Sequence, residues 1–115
     1  MNSITLNLIV IHSQDLEISK GFYETLGIDF SYEQHGNGKK HLSAVLEEMV
    51  FEIYPRNNDI DTSAVRLGFR VESVDKVLED LEKIAVVVLS PARDSQWGRR
   101  AVILDPEGYK VELVN

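Results

Sequence analysis

The stretch WGRRAVILDPEGYKVELV, residues 97–114, predicts two β-strands joined by a tight turn. Its apolar and β-branched residues are typical of strands, and DPEG, with proline at its second position, is typical of a turn. Glu112 lies inside the second strand, between Val111 and Leu113. Because a buried carboxylate costs free energy unless a partner compensates it, Glu112 must face a metal ion, a positive side chain or water.

The composition is that of a globular domain. The chain has 115 residues, of which 43% are hydrophobic and 27% are charged, so we expect one soluble domain, 1–115, with a modest core. The net charge of −7 disfavours nucleic acid and anionic membranes as partners. No apolar run approaches the roughly 20 residues that span a bilayer, and no leader pattern is present. The absence of cysteine excludes disulfides and thiolate chemistry. These features predict a cytoplasmic protein.

The first half of the chain predicts one helix among four strands. The segments ITLNLIVI, IDFSYEQ, KKHLSAVL and MVFEIYP are expected to be strands, and the HGNGK segment between two of them is expected to be a hairpin turn. DLEISKGFYETLG has helical spacing, with Asp15 as N-cap and Gly27 as C-cap. His35 and His41 lie beside the hairpin, where we expect them to be exposed to solvent. The first module therefore spans about 4–55, and the polar segment 56–63 is a linker.

The second half predicts the same plan. AVRLGFRV, AVVVLSP, RRAVILD and YKVELV are expected strands, and SVDKVLEDLEKI is an expected helix capped by Ser73. Each half is therefore β-α-β-β-β, and equivalent elements are about 60 residues apart. This regularity indicates an internal duplication, with a second module of about 64–115.

The segment LIVIHSQDLEISKGFYETLG, followed much later by the opening stretch, resembles the vicinal oxygen chelate superfamily. That superfamily includes glyoxalase I, extradiol dioxygenases, and the fosfomycin and bleomycin resistance proteins. The resemblance implies an α+β fold of two tandem βαβββ modules that form an open, barrel-like cleft. It also implies a homodimer in which the cleft walls are completed across the interface.

The resemblance assigns four positions to metal binding. In metal-dependent members a divalent cation is held by side chains that here fall at Leu8, Glu52, Arg66 and Glu112. Leucine offers no donor atom, and arginine is always protonated and repels a cation. We therefore expect no metal and no cofactor, and a protein closest to the metal-free bleomycin-resistance-like members. The alternative is a metal-dependent lyase, isomerase or dioxygenase that uses Glu52 and Glu112. Metal-free acid–base catalysis by the same two carboxylates is a third hypothesis.

Strand alternation places a set of polar side chains in the cleft. Arg66 is expected to lie between Glu52 and Glu112 and to pair with both. This group is either a buried ionic lock or part of a recognition site. Trp97, Tyr54 and Tyr32 would offer flat surfaces to a planar ligand. The predicted function is sequestering or sensing a small organic molecule, with a ligand-binding set of Glu52, Tyr54, Arg66, Arg70, Trp97, Arg100 and Glu112.

Overall fold

A computed structural model describes residues 2–115 of the chain. The strands are β1 (Leu8–Ser13), β2 (Ser31–Glu33), β3 (His41–Leu46), β4 (Met49–Pro55), β5 (Arg66–Arg70), β6 (Val88–Ser95), β7 (Gly98–Leu104) and β8 (Lys110–Val114). The helices are α1 (Leu16–Leu26) and α2 (Val74–Leu81), and short 3-10 turns lie at Thr62–Ala64 and Glu82–Ile84. No helix in residues 2–115 combines the length and apolar character needed to cross a bilayer.

The eight strands form two four-stranded sheets of matching topology. The orders are β1-β4-β3-β2 and β5-β8-β7-β6, and in each sheet the first pair is parallel while the other pairs are antiparallel. The predicted α+β fold of two βαβββ modules is therefore confirmed, and the sheets remain open rather than closing into a barrel. The register also confirms the internal symmetry, because Leu8 pairs with Val50 as Arg66 pairs with Lys110.

Three strands differ from their predicted bounds by three residues or more, and the first of them runs from Leu8 to Ser13 instead of over 4–11. The second strand is confined to Ser31–Glu33, because Ile28 is drawn into the core before the strand begins. The sixth strand starts at Val88, after the left-handed Ala85, and continues through Pro91 to Ser95. Pro91 does not end it because β6 is an edge strand, where a missing N–H costs no ladder hydrogen bond.

The caps predicted from the sequence are present in both helices. The Asp15 carboxylate accepts hydrogen bonds from the backbone N–H groups of Glu17 and Ile18, and Gly27 ends α1 in the left-handed conformation. Ser73 accepts from the N–H of Lys76 at the start of α2. Both helices thus begin at their predicted caps and α1 ends at its predicted glycine, whereas α2 ends at Leu81, before the predicted end at Ile84.

The core lies between the helices and one face of each sheet. Its members are apolar side chains from both modules, including Phe22, Tyr23, Phe51, Ile53, Leu67, Val77, Leu81, Ile103, Val111 and Leu113. The Phe51 ring lies 5.2 Å from that of Tyr23 and 6.0 Å from that of Phe69, so the first sheet packs against β5 through aromatic edges. Ile84, the last residue of the predicted second helix, is exposed, because α2 ends at Leu81 and residues Glu82–Ile84 form a 3-10 turn.

The turn before β8 joins the modules. The buried Asp105 carboxylate accepts a hydrogen bond from the Tyr23 hydroxyl at 2.6 Å and from the N–H groups of Glu107 and Tyr109 at 2.8 and 3.0 Å. Burial raises the pKa of Asp105, and burial together with the adjacent carboxylate raises the pKa of Tyr23. A residue of α1 is therefore hydrogen-bonded to a turn more than eighty positions away in the sequence.

Replacing Tyr23 by phenylalanine tests this junction. We expect Tyr23→Phe to lower the free energy of unfolding by about 1–3 kcal/mol, because a buried carboxylate oxygen loses its donor. Urea denaturation measures the change. The matched control is Tyr32→Phe, an exposed tyrosine for which the change should stay within about 0.5 kcal/mol. Equal effects of the two substitutions would contradict the role assigned to Tyr23.

Candidate functional site

Each sheet presents a face opposite the helices, and we call these the first and second cleft faces. The first cleft face belongs to the sheet β1-β4-β3-β2 and carries Leu8, Val10, His12, Glu33, His41, Ser43, Val45, Val50, Glu52 and Tyr54. The second cleft face belongs to the sheet β5-β8-β7-β6 and carries Arg66, Gly68, Arg70, Arg100, Val102, Leu104, Lys110, Glu112 and Val114. Pairing register defines both sets, since paired residues point to the same side.

Glu112 faces two guanidinium groups. The Arg100 Nε donates a hydrogen bond to its Oε1 at 2.5 Å, and the Arg66 Nη1 lies 3.7 Å from its Oε2. The hydrogen bond from Arg100, together with the nearby positive charges, lowers the pKa of Glu112. The predicted contact with Arg66 is therefore present. Arg100 is the closer partner, and the antiparallel pairing of β7 with β8 brings it beside Glu112.

The predicted contact between Glu52 and Arg66 is wrong. In residues 2–115 the ionisable side chain nearest the Glu52 carboxylate is His41, whose Nε2 lies 3.2 Å from the Glu52 Oε2. Glu52 is in the first sheet and Arg66 in the second, and each carboxylate takes a partner from its own sheet. The expected Glu–Arg–Glu group is consequently divided into two separate clusters.

The expectation that His41 is exposed is also wrong. Its side chain is 1% exposed and stacks on the Tyr54 ring, with centroids 4.1 Å apart and planes 9° from parallel. The pairing of β3 with β4 places the two rings side by side on the first cleft face. His35, in the hairpin turn, is 74% exposed as expected.

The aromatic residues predicted to contact a ligand are not all in the cleft. Tyr54 lies on the first cleft face, whereas Tyr32 pairs with Leu42 and therefore faces α1, where its hydroxyl donates to Glu17. Trp97 is exposed in the turn between β6 and β7, at the end of the second sheet. Gly98 follows it with a φ of 118°, and a side chain there would collide with the Asn115 carbonyl, so this glycine serves the fold.

The predicted site residues Arg70 and Arg100, and Arg99 beside them in the sequence, differ in their surroundings. Arg70 is exposed on the second cleft face, where it pairs with Val114. Arg99 points away from Arg100 and binds Asp75 and Asp94 at 2.8 and 3.1 Å. Sequence alternation assigned Arg100 to the cleft, and the pairing of β7 with β8 agrees with that assignment.

A cavity of about 490 Å³ lies beside α1, and it reaches the second cleft face only at Leu104, the last residue of β7. It lies between α1 and the segment that leads into β6, and its lining includes Ile18, Phe22, Val86 and Leu104. No periodic pattern in the sequence indicates this cavity, because it forms between elements of different modules.

The four positions assigned to a divalent metal do not fit one. Leu8 has no donor atom, and Arg66 presents a permanent positive charge beside Glu112. Glu112 and Glu52 belong to different sheets, and each has its own positive or imidazole partner. These residues do not provide the converging oxygen and nitrogen donors that a divalent ion requires.

The chain belongs to the Glyoxalase/Bleomycin resistance protein/Dioxygenase superfamily, whose family model matches residues 5–113. Its structure is similar to that of TnmS3, an antibiotic-binding protein from Streptomyces sp. CB03234, with 25% identity, a TM-score of 0.76 and coverage of 99% and 97% of the two chains. A glyoxalase/bleomycin resistance protein from the same organism has 25% identity, a TM-score of 0.74 and coverage of 96% and 100%. The oxidase ChaP-H2, at 15% identity, shares the fold with a TM-score of 0.79 over 99% and 94% of the chains. No curated protein matches the sequence.

The pH dependence of stability tests the Arg100–Glu112 contact. Because the pKa of Glu112 is lowered in the folded protein, its stabilising contribution is complete above the ordinary value of 4.5 and is lost as the pH falls through the lowered pKa. We expect Glu112→Gln to destabilise the protein at neutral pH by less than about 1 kcal/mol, since the pair is partly exposed. The difference from the wild type should shrink as the pH falls below 4.5.

Urea denaturation at a series of pH values measures this difference. The control is Glu48→Gln, an exposed glutamate in the turn before β4, which should show no such trend. The ion pair with Arg100 would be contradicted if the difference in the free energy of unfolding between the wild type and Glu112→Gln stayed constant down to the most acidic condition.

Proposed function

We propose that this protein binds a small anionic organic molecule in the cleft and recognises it through arginine side chains. The observation that carries the proposal is Arg66, an exposed cation on the second cleft face, at a position where the family resemblance implies a metal ligand. A guanidinium there can attract and orient a carboxylate, sulfonate or phosphonate without a metal. The protein therefore sequesters or senses its ligand without transforming it.

The charge of the second cleft face supports an anionic ligand. Arg66, Arg70, Arg100 and Lys110 carry positive charge there, against Glu112. This face is cationic although the whole chain has a net charge of −7. A few side chains whose charge is opposite to that of the ligand, within a concave and partly apolar surface, are the usual anchors of a small-molecule site.

The exposure of Arg66 favours recognition over a structural lock. Its side chain is 52% exposed, and its distance of 3.7 Å from Glu112 is too long for a hydrogen bond. Exposed ion pairs of this kind contribute little to stability. The Arg66 guanidinium therefore has N–H donors available for a ligand, whereas in a buried ionic lock these donors would be occupied by the carboxylates.

The relatives support the same class of function. TnmS3 is described as an antibiotic-binding protein, and the present chain is 25% identical to it over 99% of its length. Tyr54 on the first cleft face and the exposed Trp97 give this chain aromatic surfaces on which a planar ligand could stack. The ligand class we propose is therefore an aromatic or conjugated acid.

Binding of 2-naphthoate and of the neutral 2-naphthamide tests the proposal. We expect the wild type to bind the acid more tightly than the amide, and Arg66→Ala to remove most of that preference, a loss of about tenfold for one charge-assisted contact. Calorimetry measures both affinities, and Trp97 fluorescence provides a second readout. Arg66→Ala should change the free energy of unfolding by less than about 1 kcal/mol.

The control variant is Lys83→Ala, which removes an exposed cation from the turn after α2, outside both cleft faces. It should leave the preference for the acid unchanged. Equal binding of acid and amide by the wild type would reject recognition by arginine. A large stability loss in Arg66→Ala would restore the ionic-lock interpretation.

We further infer that the cleft is completed by a second copy of the chain. Leu8, Val10 and Val45 are exposed apolar side chains on the first cleft face, and Val45 is 70% exposed. The same face carries Glu33 and Glu52, whereas the second cleft face is cationic. The two faces are therefore complementary, and in a homodimer the first face of one copy would stand opposite the second face of the other, so that the two faces form the walls of the ligand cleft.

Val45→Lys tests the dimer. We expect the wild type to be dimeric, and the substitution to shift it toward monomer, because a lysine would oppose the arginines of the partner copy. Light scattering after size-exclusion chromatography measures the mass at several concentrations. The control is Ile18→Lys, an exposed apolar residue of α1 on the helical side, which should remain dimeric. A monomeric wild type, or identical masses for both variants, would contradict this interface.

A further inference from the structure

We propose that Glu33, His35 and His41 form a binding site for a divalent transition-metal ion of the zinc class, at the β2–β3 end of the first cleft face. The site shares no residue with the four positions at which the family resemblance placed a metal. It is also separate from the arginine cluster of the proposed function, which lies on the other sheet.

The donor atoms of these three residues already converge. One ligand atom from each lies within 4.8 Å of the other two. The Glu33 Oε2 is 3.7 Å from the His35 Nε2 and 3.9 Å from the His41 Nε2. Two imidazole nitrogens and a carboxylate oxygen are the set that borderline ions such as Zn²⁺, Ni²⁺ and Co²⁺ prefer.

His41 provides the independent evidence for a ligand. Its side chain is 1% exposed, yet its Nε2 has no hydrogen-bond partner within residues 2–115. Its Nδ1 lies 3.0 Å from the Lys39 carbonyl oxygen, which can only accept, so Nδ1 carries the proton. In the neutral ring the lone pair is then on Nε2, on the side of the cluster. A backbone carbonyl that fixes the tautomer in this way is typical of metal-ligating histidines.

Local structure explains why the three residues meet. Glu33 and His41 are paired across β2 and β3, so their side chains lie on the same face. The turn that follows Gly36, which has a φ of 58°, returns the chain so that the Gly38 N–H donates to the His35 carbonyl at 2.9 Å. The His35 ring is thereby held 5.5 Å from that of His41.

Only small movements are needed to complete the site. Zinc–nitrogen bonds of about 2.0–2.1 Å place tetrahedral donors roughly 3.3 Å apart. His35 is 74% exposed and Glu33 is 42% exposed, so both can move toward the buried His41. The His41 ring stays in place while they move, because it is stacked on Tyr54.

Glu52 adds a second negative charge beside the cluster. Its Oε2 is 3.2 Å from the His41 Nε2, although the two do not form a hydrogen bond. Two carboxylates beside one buried imidazole attract a cation, and three protein donors leave a coordination position for water or for a ligand oxygen. The competing arrangement is a protonated His41 that pairs with Glu52 and Glu33 and binds no metal.

Calorimetric titration of the untagged, chelator-treated full chain with ZnCl₂ tests the site. We expect saturable binding, and His35→Gln and Glu33→Gln should each weaken it by about tenfold or more. These are exposed positions, so the test does not depend on replacing the buried His41. The matched control is His12→Gln, on the same cleft face but outside the cluster, which should bind as the wild type does. Titration with MgCl₂ should show weaker binding, because imidazole does not suit a hard ion.

Nitrogen-15 NMR of the imidazoles gives a second readout. In the metal-free protein we expect His41 to carry its proton on Nδ1, and ZnCl₂ to shift the Nε2 resonances of His35 and His41. The proposal is overturned if ZnCl₂ does not bind, if neither cluster variant weakens binding, or if both His41 nitrogens are protonated at neutral pH and ZnCl₂ leaves them unchanged. Because the probe is the metal alone, none of these outcomes bears on the naphthoate measurement.

Discussion

The hydrogen bond from Tyr23 to Asp105 is the interaction on which the arrangement of the two modules depends. It is buried and joins α1 of the first module to the turn that precedes β8 of the second. The same turn receives Arg56, whose Nε donates to Glu107 at 2.7 Å, and Thr62, whose hydroxyl donates to the Glu107 carbonyl. The segment between the modules is thus hydrogen-bonded to the turn, and β8 begins from a position that both modules determine.

This junction fixes where Glu112 can be. β8 pairs with β5 on one side and with β7 on the other, which brings Arg66 and Arg100 to the same carboxylate. Glu112 is therefore compensated by its own sheet and has no need of a metal. The internal duplication supplies Glu52 at the matching place in the first sheet, where the neighbour is His41 instead of an arginine. The equivalent positions Glu52 and Glu112 therefore have the same backbone setting but different electrostatic environments.

The difference between the cleft faces gives each a separate chemistry. The second face carries guanidinium groups and suits an anion, whereas the first carries carboxylates and imidazoles and suits a cation. The same difference makes the faces complementary to each other. Ligand binding, metal binding and self-association can therefore be measured with variants of different residues.

The sequence by itself determined the fold and much of the second cleft face. The caps at Asp15, Gly27 and Ser73 and the period of the apolar residues are local signals, so they predict elements and the βαβββ repeat correctly. Strand alternation also placed Arg66, Arg100 and Glu112 on one face, because side-chain direction in a strand depends only on position along it.

Only the tertiary structure decided which charges meet. Glu52 pairs with His41 instead of Arg66, and Tyr32 faces α1 instead of the cleft, because pairing register and the separation of the sheets are not local properties. The burial of His41 follows from stacking against Tyr54 on the neighbouring strand, which no pattern within either strand reveals. Composition and periodicity describe single elements, whereas these contacts join residues that the chain brings together only after it has folded.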